Sequence, residues 1–328
     1  MEISASTWII TLAVMITVLA IDVFIIGRRP HEPTMRECSI FIGVYVLLAI
    51  AFGFGVWAMA GPQYAGEFFA GWLTEYSLSI DNLFIFIIIM SKMRVPRHLQ
   101  QFALIVGIIL ALVFRGIFIA LGAVAIERFS WVFFLFGAFL IWTAVKLSLE
   151  YFAGEEEDEA PDQNRLMRSL KKRVPATDRF QGTRLTWLEN GRRVLTPMFF
   201  VIVALGTTDL LFALDSIPAI YGLTQEPYLV FTANVFALMG LRQLYFLIGG
   251  LLKKLVYLSL GLSVILAFIG VKLVLHALHE YNLDAAIPIW VSLLVIMVTL
   301  VITTVASLVK SKQTEQAKEQ LANPHDLR

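Results

Sequence analysis

The sequence predicts an all-α fold: a polytopic membrane helix bundle of nine transmembrane helices, built as a single transmembrane domain over residues 1–328. Three observations lead there. Hydrophobic residues make up 58% of the chain and charged residues 16%, with a mean hydropathy of +0.77, whereas soluble domains carry about 25% charged residues. Nine stretches approach or exceed the ~20 mainly apolar residues that a spanning helix needs. Lys and Arg gather in alternate connections, as they do in cytoplasmic loops. A net charge of only +1 leaves no basic surface for nucleic acid, so the expected surroundings are the lipid bilayer.

The first stretch covers 8–27 and follows MEISAST, which has no basic n-region. No small-residue cleavage site comes after it, so it is expected to remain as a helix rather than leave as a signal peptide. Near its end Asp22 lies about a turn and a half before Arg28 and reads as a helix-end acid beside basic residues. The second stretch, 38–60, opens at Cys38, the only cysteine. One cysteine excludes an internal disulfide framework and any multi-thiolate metal site, and reads as a small apolar residue at a helix start.

The third stretch, 66–91, contains EYSLSIDNLFIFIIIM, with Glu75 and Asp81 inside an otherwise lipid-soluble run. The fourth, 102–126, carries Arg115 at mid-span, and the fifth, 129–150, carries Lys146. The connection 152–194 is long and polar, with an acidic run from Glu155 to Glu159 that reads as a solvated, cytoplasmic loop. The sixth, 195–221, contains TTDLLFALDSIPAI, with Asp209 and Asp215; the seventh, 228–252, holds Asn234 and Arg242. The eighth, 255–278, holds Lys272 and runs into HALHE, whose order is not H-E-x-x-H and which reads as an interfacial cluster. The ninth is 286–309.

Orientation follows from the basic residues. Arg28, Arg29 and Arg36, then Lys92, Arg94 and Arg97, the many between Arg165 and Arg193, Lys253 and Lys254, and finally Lys310, Lys312, Lys318 and Arg328 share one side; the other holds only Arg128. The N-terminus is therefore expected outside and the C-terminus in the cytoplasm.

Segments three to five and six to eight look like two copies of one unit. Glu75 and Asp81 are six residues apart, as are Asp209 and Asp215; Arg115 precedes Lys146 by 31 residues and Arg242 precedes Lys272 by 30. A unit of three spans reverses direction at each copy, which makes an inverted-topology repeat, an architecture of many secondary transporters with the site at the repeat interface.

An acid or an arginine at a helix centre costs about 2.5–3.5 kcal/mol on insertion scales, so four carboxylates and two arginines ask for on the order of 15 kcal/mol before pairing offsets it. Internal ion pairs with Arg115, Arg242, Lys146 and Lys272 are the competing explanation, but acids outnumber the mid-span cations and the two lysines lie near enough to helix ends to snorkel. Six residues of α-helix give about 9 Å of rise and a rotation near 240°, so no single straight helix aims both of its acids at one point. If helices three and six oppose one another, Glu75 lies level with Asp215 and Asp81 with Asp209. Pro218 frees the carbonyl of Leu214 next to that layer; helix three offers only Ser77, Ser79 and Asn82 for a comparable break. Carboxylates with the amides of Asn82 and Asn234 are hard oxygen donors suited to Mg²⁺, Ca²⁺ or Mn²⁺, although Asn234 alone is equally a residue that joins helices.

EYSLSIDNLFIF, DLLFALDSIPAIYGLTQEPYLVFTANVFALMGLRQLYFL and ENGRRVLTPMFF resemble the TerC family of integral membrane proteins over nearly the whole chain. The resemblance implies a bacterial inner-membrane protein linked to metal-ion homeostasis, in a family with members implicated in manganese efflux and others named for tellurium resistance. It carries the family's acidic motif onto Glu75, Asp81, Asn82, Asp209 and Asp215. One departure stands out: many members have a glutamate three residues before the acid matched by Asp209, where this chain has Gly206.

The expected function is export of a divalent cation, Mn²⁺ foremost, by alternating access, with proton coupling as an added hypothesis. The ion is substrate, and no permanently bound cofactor is expected. The metal ligands would be Glu75, Asp81, Asn82, Asp209, Asp215 and Asn234, with Arg115, Arg242, Lys146 and Lys272 compensating charge. Two alternatives remain: a non-transporting factor that hands metal to exported proteins, and an intramembrane hydrolase, which the absence of a G-x-G-D sequence and the duplicated rather than single acid pair argue against.

Overall fold

The computed structural model describes residues 4–28, 34–129, 131–153, 175–189, 192–248, 256–279 and 287–322. The chain is an all-α polytopic membrane bundle. Its helices are α1 (Ala5–Arg28), α2 (Met35–Ala60), α3 (Pro62–Lys92), α4 (Arg97–Arg128), α5 (Val132–Ala153), α6 (Pro197–Tyr221), α7 (Pro227–Leu238), α8 (Leu241–Ile248), α9 (Leu258–His279) and α10 (Ile289–Ala322). Among the described residues eight spans are long and apolar enough to cross a bilayer, α7 and α8 together forming one of them. In α1, over the first expected stretch, the apolar portion is Ser6–Val18.

Local chemistry sets the boundaries. Thr34 and Glu37 form a capping box that starts α2: the Glu37 N–H donates to the Thr34 hydroxyl at 3.2 Å and the Thr34 N–H to the Glu37 carboxylate at 2.8 Å. A single residue, Gly61, separates α2 from α3. Its φ of +95° suits glycine, its N–H closes on the Trp57 carbonyl, and Pro62 follows at the first helical position, where a missing N–H costs nothing.

The seventh expected stretch, 228–252, is not one helix. It breaks between α7 and α8 at Met239 and Gly240, where Met239 turns extended (φ −63°, ψ 128°) and Gly240 adopts a φ of +83°. A Cβ at Gly240 would stand 3.0 Å from the Tyr45 ring of α2, so both the conformation and the close approach require glycine. By contrast α6 runs through Pro218 to Tyr221, and α3 runs unbroken past Asp81, so neither anticipated break occurs. Pro218 has no N–H to donate, so the Leu214 carbonyl is still freed, but the helix continues through it to its end at Tyr221.

The connection ahead of α6 is not wholly loop. Strands β1 (Thr186–Glu189) and β2 (Arg192–Leu195) pair antiparallel, Thr186 opposite Leu195, and α6 starts at Pro197 rather than at 195. Asn190-Gly191, between the strands in sequence, is the strongest short hairpin signal a sequence can carry; it was missed because the surrounding residues are charged. The acidic run Glu155 to Glu159 and Glu280 of HALHE lie outside the described residues, as do the side chains of Asp22 and Asp81.

Helices α3, α6 and α7 form the centre, and α2, α4, α5, α9 and α10 surround them. Leu47, Met59, Leu294 and Ile302 on outer helices are exposed, as a lipid-facing surface requires. The tightest seam joins α5 to α9 at Gly137 and Gly270, where a Cβ on either glycine would come within 3 Å of the other's carbonyl oxygen. Small residues let helix backbones approach in lipid. Gly270→Leu is therefore expected to lower the thermal midpoint and membrane yield, by about 1–3 kcal/mol of overpacking, while Gly43→Leu, which meets nothing within 4 Å, leaves both unchanged. Equal melting of the two variants would show that the seam is not tight.

Candidate functional site

Glu75 and Asn82 are seven residues apart on α3, two turns that return to one face. That face meets α6, which runs antiparallel to it: Gly71 lies against Ile220, Glu75 beside Ser216, and Asn82 against Asp209. The Asn82 amide donates to the Asp209 carboxylate at 2.9 Å. Arg115 enters from α4 and donates through Nη1 to Glu75 and, at 2.9 Å, to the Asn234 side-chain oxygen on α7, while Nη2 stands 3.6 Å from Asp209. Asn234 is oriented by its own amide, which donates to the Val230 carbonyl one turn earlier. One guanidinium thus joins four helices.

All of these groups are enclosed: Glu75 is 0% exposed, Asp209 1% and Arg115 2%. Two carboxyl groups face one guanidinium. Several acceptors have no aligned hydrogen bond: Glu75 Oε1, Asn82 Oδ1 and Asp209 Oδ2, with the hydroxyl of Ser79. Buried polar atoms are nearly always satisfied, and a site where three neighbouring oxygen acceptors are not is one where water or an ion belongs.

The other candidate residues are placed elsewhere. Asp215, half-buried, is rotated to the α5 side of α6 and accepts from the Thr143 hydroxyl at 3.1 Å. The 240° between it and Asp209 accounts for this. Lys146 is 57% exposed, pairs with Glu150 at 3.7 Å and stands within electrostatic reach of Asp215. Arg242 is buried on α8, within electrostatic reach of Cys38 at the start of α2. Lys272 faces Glu67, a residue that was not singled out from the sequence. No three His, Cys, Asp or Glu side chains among the described residues come together as a metal cluster; the convergent set is two carboxylates and the Asn234 amide on Arg115, with the Asn82 amide on Asp209.

The profile of the TerC family, described as integral membrane proteins, matches residues 60–315. The chain belongs to the TerC family. Similar proteins include an uncharacterized membrane protein of Mycobacterium tuberculosis strain H37Rv, 44% identical over 277 residues, which cover 84% of this chain and 70% of the relative. An uncharacterized membrane protein of Myxococcus xanthus is 39% identical over 309 residues, 94% of each chain. The Alx protein of Escherichia coli K12, provisionally named a membrane-bound redox modulator, is 37% identical over 300 residues, covering 88% of this chain and 90% of Alx. No solved structure matches the chain. The TerC match encloses every helix that contributes to the Arg115 cluster, α3, α4, α6 and α7.

Proposed function

We propose that this TerC protein exports a divalent cation, Mn²⁺ foremost, across the bacterial inner membrane by alternating access. The observation that carries the reading is the convergence of Glu75, Asp209 and Asn234 on Arg115, with Asn82 on Asp209, in which Glu75 Oε1, Asn82 Oδ1 and Asp209 Oδ2 have no aligned hydrogen bond. Such oxygens suit hard divalent cations. Arg115 serves as the tethered counter-cation: it holds Glu75 and Asp209 while the site is empty and yields them as the ion arrives, so the carboxylates are never left buried and uncompensated. Asp215 makes a second layer through which the ion leaves, with Lys146 or a proton compensating it.

The packing supports the inverted repeat behind this cycle. Exchanging α3–α5 with α6–α9 turns the α3–α7 contact into α6–α4, and leaves α3–α6 and α5–α9 mapped onto themselves; these four are the most extensive interhelical contacts. With the basic connections in the cytoplasm, the N-terminus lies outside and the C-terminus inside.

Purified protein in liposomes, with no other component, is the direct test. Mn²⁺ entering vesicles faster than it enters protein-free ones, with and without an imposed pH gradient, is the expected result, and the gradient decides whether protons take part. Vesicles that stay impermeable would identify a non-transporting factor instead.

A further inference from the structure

A groove of about 610 Å³ runs between the start of α9 and the second half of α10, on the outside of the bundle. Its floor is made of small residues. Gly261 and Thr303 meet there, where a Cβ on Gly261 would stand only 2.5 Å from the Thr303 hydroxyl oxygen, and Ala306 continues the line. The Thr303 hydroxyl donates to the Thr299 carbonyl at 2.6 Å, so its polar atom is already engaged within α10 and the floor is apolar in effect. Val264, Ile302 and Val309 form exposed walls.

Polar groups are confined to one end, where Tyr257, Lys310 and Gln313 line the groove. The Tyr257 N–H donates to the Ser307 hydroxyl at 3.0 Å, which holds the start of α9 against α10. This end is basic. The segments 251–279 and 289–314 contain no aspartate or glutamate, while Lys253, Lys254, Lys310 and Lys312 lie at this end of them. Even with Glu315, the first acid of α10, four lysines stand against one carboxylate. The surplus belongs to the two segments together, whatever Lys310 itself touches. Glu150 of the adjoining α5 pairs with Lys146.

Length agrees with the distribution of polarity. Thr299 and Gln313, both lining residues, are separated by 14 positions on one helix, about 21 Å of rise. One leaflet with its headgroups is half of a bilayer of ~40–45 Å. The groove is therefore one leaflet long, apolar toward the bilayer centre and basic at the level of the headgroups, which is the division within a phospholipid.

We propose that this groove binds one anionic phospholipid, an acyl chain lying over Gly261, Thr303 and Ala306 and the phosphate meeting Lys310, with Tyr257 and Gln313 as hydrogen-bond donors. Basic pockets between membrane helices hold anionic headgroups in this way. The site stands independently of the transport reading, since α9 and α10 contribute nothing to the Arg115 cluster. For the test, the full-length chain in neutral detergent is offered equal amounts of phosphatidylglycerol and phosphatidylcholine with the same acyl chains, and retained lipid is counted by native mass spectrometry. Phosphatidylglycerol should be kept in preference. Lys310→Gln should cut that preference about fivefold, the ~1 kcal/mol that one basic residue contributes near an anionic surface. Ala306→Phe, which fills the floor, should remove one lipid, while Val301→Phe, on an exposed position that does not line the groove, should remove none. Lys310→Gln alters an exposed side chain and decides the matter even where Ala306→Phe fails to fold: an unaltered preference in it overturns the proposal. So does wild-type retention that ignores the headgroup, or a folded Ala306→Phe that keeps every lipid. Displacement of the retained lipid by glycerol 3-phosphate, which has the phosphate without the chains, would make this a free-anion site and also overturn it. If Ala306→Phe turns a dimer into a monomer with lipid unchanged, the groove is a contact between copies of this chain and the lipid site falls.

Discussion

Arg115→Gln is expected to destabilise the protein by about 3–5 kcal/mol, the usual effect of removing one member of a buried ion pair. Glu75 and Asp209 are almost fully enclosed and share this guanidinium, and glutamine cannot reach both or supply charge. The measurement is thermal melting in detergent together with membrane yield. The loss should shrink in the double variant Arg115→Gln, Glu75→Gln, because the second change removes an uncompensated buried charge. It should also shrink in Mn²⁺, since an ion held at a hundred times its Kd returns about 2.7 kcal/mol. A single variant that melts with the wild type would mean that the cluster is solvated and that the buried-charge argument is wrong.

Asp209→Asn should abolish Mn²⁺ flux in liposomes, a loss on the order of a hundredfold or about 2.7 kcal/mol, while the protein stays folded. Asparagine keeps the volume and the oxygen that accepts from Asn82, so what disappears is one negative charge and one ligand. Asp215→Asn should act differently. Its carboxylate sits against Thr143 on α5, away from Arg115, so the Mn²⁺ concentration needed for half-maximal flux should rise with flux retained. Wild-type flux in Asp209→Asn would remove Asp209 from the transport path. Abolition in both variants to the same degree would place the two acids in one site.

Much of the architecture was legible because a bilayer imposes simple demands. Apolar runs of spanning length and basic connections follow from the cost of exposing backbone or charge to lipid, and the two six-residue acid spacings stand out against it; each is a property of sequence alone. The hairpin at Thr186–Leu195 was legible too, through Asn190-Gly191, but its charged strands hid it. The break in the seventh span had a weaker signal, one glycine in ALMGLRQ. Glycines are frequent in membrane helices, and only the approach of Tyr45 distinguishes Gly240 from the rest.

The sequence by itself determined that this chain is a TerC-type helical membrane protein and that its spans carry carboxylates and arginines where lipid disfavours them. Tertiary structure alone decided which charges meet. Arg115 reaches Glu75, Asn234 and Asp209 because three other helices converge on one turn of α4, whereas Lys146 turns to Glu150 and Lys272 faces Glu67. Spacing along a chain gives the depth and the face of a residue on its own helix. It does not give the rotation of the helix opposite, which packing against all of its neighbours sets at once.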